Sequence, residues 1–338
     1  MSKIRKLYCF DKKNTEEIMS FLNNGVTDNY INNIMFNPIL PVHYLLPLNC
    51  KFLPESFVYE SDKSIKSLIT IAPTRCRYKK MEIQKLCFEE NALAETSELV
   101  QFVVSKYKAM GATSVMVKVD DYLTDLISMF VSSCNFSQIS YEKHWRITDN
   151  IEPNFDKKDF RPFRNTDAKM LANLYNETLL PHFRPLLGKN SKEFKESFFK
   201  GLSYYDEYKY VVEDKHTTDL NACIILRTLD NENFIIDIIQ SAWSDVELES
   251  LISYAVYQIK KRKKKFGLFI RSNKYTANGS KFEEYFVQQG YKCVQNQLVL
   301  TNSSAKVLKS DVKSNKYIVL SELYPSNIKI NPVNKISD

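Results

Sequence analysis

One order of signals runs twice through this chain. In the first copy, Leu99, Phe102, Val103 and Tyr107 mark the apolar face of a helix that leads to Met110-Gly111 and the strand-like run Ser114-Val115-Met116-Val117-Lys118-Val119. A second helical run, Leu126-Ile127-Ser128-Met129-Phe130, is followed by Asn135-Phe136 and a last strand over 138–147. The second copy repeats the order as a helix over 245–264, Phe266-Gly267, Leu268-Phe269-Ile270-Arg271, a helix over 280–289 and Gly290-Tyr291. Leu99 and Leu251 stand 152 positions apart (251 − 99), and Phe136 and Tyr291 stand 155 apart (291 − 136). A solenoid unit repeats at roughly 20–50 residues, so a repeat of this length is a duplicated domain. The spacing predicts a first domain over 1–147, a polar linker over 148–159 that contains Pro153, a second domain over 160–309 and a tail over 310–338.

Composition narrows the chemistry. The 338 residues suffice for two ordinary domains, and 44% hydrophobic content supports packed cores in both. No run of 18 apolar residues predicts a membrane span, and Asp11, Lys12 and Lys13 interrupt any signal-peptide core after the basic start. The seven cysteines are scattered without CxxC spacing, which suggests reduced thiols and a cytoplasmic protein. The four histidines, His43, His144, His182 and His216, form no ligand pair with each other or with cysteine, so no metal is expected. Seven well-separated glycines leave no GxGxxG, no P-loop and no GxSxG elbow. The net charge of +7 owes much to Lys260-Lys261-Arg262-Lys263-Lys264-Lys265. Such a block suits the exposed C-terminal end of a helix; it is also the place where nucleic acid or another anionic partner could bind.

Asn14-Thr15-Glu16-Glu17 predicts a capped helix to about Asn23, and a short helix is expected near Tyr30. Residues 56–60, 67–72 and 81–88 read as three strands, the first two joined by the hairpin Glu60-Ser61-Asp62-Lys63. Helices are expected over 94–110 and 122–132. The second copy opens on a strand over 160–164, then Asn165-Thr166-Asp167 caps a helix through Tyr175, with another helix over 192–202. A three-strand meander follows over 208–213, 222–228 and 234–240, and the copy closes on a long strand over 292–300.

Each half therefore reads strand, helices, antiparallel meander, long helix, strand, helix, strand. With Arg161-Pro162-Phe163-Arg164-x-x-Asp167, Leu171 and Leu174-Tyr175 opening the second copy, this order resembles the GNAT acyltransferase superfamily, in tandem. The resemblance implies an α+β, three-layer fold: two GNAT-like acyl-CoA acyltransferase folds, each a mixed, mostly antiparallel sheet flanked by helices. It implies acetyl-CoA or another acyl-CoA as cosubstrate. The pantetheine arm would lie between two splaying strands, and the pyrophosphate on the N-terminus of the next helix, where free N–H groups and the dipole favour an anion. The turn pattern for that site is [Q/R]-x-x-G-x-[G/A]. In the first copy Asn91-Ala92-Leu93-Ala94-Glu95-Thr96 takes its place, with Ala94 and Thr96 at the two small positions and Leu86 and Phe88 on the strand before it. In the second copy the place falls on Trp243-Ser244-Asp245-Val246-Glu247-Leu248, which matches nothing and adds two carboxylates.

The resemblance further implies a base that takes the proton of an amine, and Glu82, on the strand before the turn, matches that element. The tyrosine that often serves as acid on the last helix has no counterpart at Val131 or Phe286; Tyr285 is adjacent. The reading is an N-acyltransferase acting on an unidentified small-molecule or peptide amine, with its site in the first copy. A GNAT-fold binding or regulatory protein without activity is the alternative, and an aminoacyl-tRNA-dependent transferase, suggested by Lys260–Lys265, is a second.

Overall fold

The computed structural model describes residues 3–7, 11, 55–73, 80–147, 151, 153–196, 206–214, 219–228 and 230–303. The helices expected after Thr15 and near Tyr30, residues 197–202, much of the linker and the tail lie outside the described residues. Met1–Ser304 form one compact unit; Ala305–Asp338 form a second that is not described further.

Among the described residues, twelve strands form one sheet. The first copy supplies β1 (Lys3–Lys6), β2 (Glu55–Ser61), β3 (Ser64–Pro73), β4 (Lys80–Phe88), β5 (Ser114–Asp120) and β6 (Ser137–Ile147). The second supplies β7 (Phe160–Pro162), β8 (Asp206–Glu213), β9 (Leu220–Thr228), β10 (Asn233–Gln240), β11 (Gly267–Asn273) and β12 (Lys292–Ser303). The strand order is β1-β2-β3-β4-β5-β12-β6-β11-β10-β9-β8-β7. Among the described strands, only β4–β5 and β10–β11 run parallel. The copies have thus exchanged their last strands: β12 lies between β5 and β6 of the first copy, and β6 lies between β12 and β11 of the second. Glu142 of β6 stands directly opposite Gln297 of β12. Lys118 of β5 is matched by Arg271 of β11, since each stands four residues beyond the first paired residue of its parallel ladder, Ser114 or Gly267.

Side chains alternate across this sheet. One face carries both main cores. Helix α1 (Leu93–Ala109) buries Leu99, Val100, Val103, Val104 and Tyr107 against Phe57, Ile69, Met81, Ile83 and Val117. Helix α6 (Leu248–Lys260) and α7 (Gly279–Gln288) cover Trp145, Phe234, Ile236, Leu268 and Ile270 in the same way. Between these lie α2 (Thr124–Ser128) in the first copy and, in the second, α3 (Ala168–Thr178), α4 (Arg184–Leu187) and α5 (Ser191–Phe194). Helix α3 packs on the opposite face, over Val211, Cys223, Ile225 and Ile239.

Local chemistry explains the repeated punctuation. Asn135 and Gly290, before the aromatic residues of the two copies, both sit in the left-handed region, at φ 56° and 70°. Asp62 and Lys63 turn the first hairpin with positive φ at both central positions, the geometry that suits strand twist. The helix expected over 122–132 is split into α2 and a π-helical turn, Met129–Ser133, because the wider turn fits one extra residue into the same apolar run. Of the helix expected over 192–202, the described residues form α5 as far as Phe194, after which Lys195 is extended.

Strand β1 was not foreseen: Lys3-Ile4-Arg5-Lys6 holds one apolar residue. Its place is fixed by charge. Arg5 pairs with Asp11 and Glu60, each at 2.7 Å, and Arg161 repeats the clamp with Asp167 at 2.7 Å and Glu213. Both arginines stand six residues before their aspartate. The duplication therefore reaches the first strand of each copy.

Candidate active site

Two clefts follow from the two parallel ladders. β4 pairs with β5 from Lys80 to Ile83 and then leaves it. At that point its pairing with β3 slips, Ile83 opposing Ile71 and Lys85 opposing Thr70, so Gln84 is bulged. A bulge bends its strand and adds twist, which carries residues 84–88 away from β5. Among the described residues no strand covers that edge. Five residues of free edge span roughly 16 Å at about 3.3 Å each, the reach of an extended ligand arm. In the second copy β10 leaves β11 after Ile236, with no slip against β9. There the protein itself bridges the gap: Asn278 Nδ2 donates to the Gln240 carbonyl at 2.9 Å.

The turn that starts α1 lies at the far end of the free β4 edge. Leu86 and Phe88 are buried in the core beneath α1, so only their backbone faces the cleft. Asn91 and Ala94 are exposed. Thr96 is wholly buried, and its hydroxyl donates back to the Ala92 carbonyl at 2.5 Å. The outward-facing donors of this turn are thus backbone N–H groups; α1 has no side-chain cap, and Glu95 sits in its first turn. At α6 the equivalent turn carries Asp245, Glu247 and Glu249 beside Trp243, which is 94% exposed.

The near end of the β4 edge opens into a cavity of about 330 Å³ on the face opposite α1 and α6. Glu82 lines it; Leu86, Phe88, Asn91, Ala94 and Thr96 do not. The cavity takes residues from both copies. Its floor is a chain of ion pairs on the middle strands. Glu142, fully buried, accepts from Lys118 at 3.0 Å, from Arg271 at 3.4 Å and from the Tyr275 hydroxyl at 2.6 Å. Burial alone would raise its pKa; the two cations and the phenol reverse this and hold it below the usual carboxylate range. Asp237 is held low in the same way by Arg271 and Arg227, at 2.7 and 2.6 Å. Arg227 also meets Glu207, which meets Lys209. Acids with such partners stay ionised and are poor bases. Glu82 is less closely engaged: its nearest cation, Lys118, is 3.9 Å away and is shared with Glu142.

Three other groups line the cavity without being part of that chain. His144 is buried, its Nδ1 has no hydrogen-bond partner, and burial with Arg271 nearby lowers its pKa to about 3. It is neutral. Lys189 places its ammonium 4.6 Å from the Tyr175 ring centre and 5.6 Å from that of Phe194. Lys80 donates to the Gly188 carbonyl at 2.5 Å, which brings the segment after α4 over β4, two residues from Glu82. Sequence reasoning reached Glu82 but not Glu142, Arg271, Asp237 or Lys189. Aligning the copies strand by strand would have matched Lys118 with Arg271; Lys189 carries no such signal.

Tyr285 packs beside Phe286 and Tyr291 on the helix-bearing face, away from the cavity. Lys260–Lys265 are all exposed at the end of α6, with Arg262 stacked on Tyr208 and Lys261 on Tyr257. Among the described residues no cluster of His, Cys, Asp and Glu is placed to hold a metal ion, and no helix is long and apolar enough to cross a membrane.

The fold as a whole is similar to that of solved proteins. One is a tandem GNAT protein from the clavulanic acid biosynthesis pathway, with a TM-score of 0.57 and 8% identity, covering 90% of this chain and 99% of that one. A GCN5-related N-acetyltransferase from Sphaerobacter thermophilus gives 0.60 and 8%, covering 89% and 95%. No family profile and no curated protein matches the sequence. The chain has the tandem GNAT fold.

Proposed function

We propose that the chain is an N-acyltransferase whose acyl-CoA site lies in the first copy. The carrying observation is the bulged edge of β4, which no strand among the described residues covers and which runs from Glu82 in the cavity to the uncapped start of α1. Leu86 and Phe88 would offer backbone groups to a pantetheine arm, and Asn91 and Ala94 would border the pyrophosphate over the free N–H groups of the turn. Thr96 would support the turn from inside. When bound, the thioester supplies an acyl carbon to which the amine nitrogen bonds as the carbon–sulfur bond breaks and the thiolate leaves. Glu82 receives the proton that the nitrogen sheds. A thiol with a pKa of about 8.5 leaves without a dedicated acid, which accommodates the missing tyrosine. We assign the copies to 1–147 and 160–309, the linker to 148–159 and the tail to 310–338.

Thiol release from acetyl-CoA in the presence of an amine panel tests the reading. Release should depend on the amine and fall roughly 100-fold or more in Glu82→Gln, the scale of a lost general base. Release that is independent of Glu82 would contradict it. A purely binding role is the second reading, favoured by Glu95 at the turn and by the inward Thr96 hydroxyl. It requires acetyl-CoA binding without thiol release for any amine.

A further inference from the structure

We infer that the cavity selects a small amine that also carries a carboxylate, with Lys189 of the second copy holding the carboxylate and Glu82 of the first facing the amino group. This rests on the acyltransfer reading for the amine half and on the cavity's own charges for the other half.

The argument is one of engagement. Glu142 has three partners, Asp237 two and Glu207 two, so the deep acids are occupied and offer little to a ligand cation. Their cations, Lys118, Arg271, Arg227 and Lys209, are occupied by the same contacts. Lys189 stands apart. Among the described residues it has two aromatic rings for company and no carboxylate within ion-pair distance. Burial, with Arg227 and Arg271 in the same cavity, lowers its pKa to about 8. An ammonium destabilised in this way gains from an added anion, because a charge-assisted bond in a partly dry site is stronger than one in water. His144 adds a neutral, unpartnered Nδ1 in the same cavity.

The anion is singly charged. Lys80, the neighbouring ammonium, is bound to the Gly188 carbonyl, and Lys189 offers a single ammonium without the arginine fork or row of backbone N–H groups that a phosphate would call for. Leu186, Leu187, Tyr175, Phe194 and Ile239 give the cavity apolar walls, and its volume is at the small end of ligand sites. The Lys80–Gly188 bond ties the segment bearing Lys189 to β4, the strand that carries Glu82, and both side chains line the one cavity of about 330 Å³.

Ligand-observed saturation-transfer NMR on the full chain tests this without turnover. The probes are two matched pairs: L-phenylalanine with 2-phenylethylamine, and L-leucine with 3-methylbutylamine. Each pair differs only in the carboxylate. At least one amino acid should bind about tenfold or more tightly than its matched amine, the scale of one charge-assisted hydrogen bond. Lys189→Met should erase that preference while leaving the amines unchanged, and Lys189→Arg should keep it. Equal binding within both pairs, no binding by either amino acid, or an unchanged preference in Lys189→Met would overturn the inference. Acetyl-CoA binding, measured on the same samples, separates the two claims. Its loss with the preference intact sinks the acyltransfer reading alone; the converse sinks the carboxylate clamp alone.

Discussion

The two copies share a scaffold and differ where a ligand would lie. Both open on an arginine clamp, Arg5 with Asp11 and Glu60, Arg161 with Asp167 and Glu213. Both lay a parallel ladder of four residue pairs and then let the strands part. Beyond that point they diverge. The first copy bulges at Gln84, and no strand among the described residues covers the edge beyond it; the second runs β10 straight and closes the gap with Asn278. Gln84 in the first corresponds to Asp237 in the second, which is tied to two arginines. The lesson is that the same parallel ladder can end in a strand tied back by its own side chains, as β10 is, or in one that bends away from its neighbour, as β4 does. The exchanged strands make this division of labour possible, because the second copy's residues reach the first copy's cavity.

The comparison can be broken at its joint first. A chain cut to residues 1–150 loses β12 and leaves β5 and β6 without their shared neighbour. It should show no cooperative unfolding by circular dichroism, and co-expression with 151–338 should restore it. Next comes Glu142→Ala, which takes the shared acceptor from Lys118, Arg271 and the Tyr275 hydroxyl. A loss of about 3 kcal/mol or more in denaturant titration is expected for a broken buried network. The arginine clamps offer a finer test. Arg5→Ala and Arg161→Ala should each cost about 1–2 kcal/mol, and by similar amounts, since both leave a nearly buried aspartate short of its donors. A large inequality would mean the two clamps are not equivalent.

The smallest effect is in pH. His144 stands beside Arg271 as Val299 stands beside Lys118. Its folded pKa, about 3, lies below the ordinary 6.5. Below pH 6.5 the unfolded chain takes up a proton that the folded state refuses, so stability that is complete above pH 6.5 falls as the pH drops toward 3. The slope approaches about 1.4 kcal/mol per pH unit, and His144→Val should flatten it between pH 6 and about 5. Glu142 and Asp237, whose pKa values are lowered, lose stability only at more acid pH.

Much of this was legible in the sequence because it is local. The helix–glycine–strand order, the Asn135-Phe136 and Gly290-Tyr291 pairs and the strand bearing Glu82 are short-range patterns set by helix and strand periods. The strand exchange was not legible, since β6 and β12 carry the same alternation whichever neighbour they choose. Strand β1 was hidden because a clamp of charges, rather than apolar alternation, fixes it. Glu142 and His144 read as the wet side of a strand; only the sheet's second half dries them. Lys189 lies in a connecting segment whose position is set by the Lys80–Gly188 contact across the copies.

Calorimetric titration of the full chain with acetyl-CoA tests the central claim most directly. The account predicts one molecule per chain, with affinity reduced tenfold or more by Ala94→Glu at the start of α1 and unchanged by Ser244→Glu before α6. No binding, two equal sites, or sensitivity to Ser244→Glu in place of Ala94→Glu would contradict it.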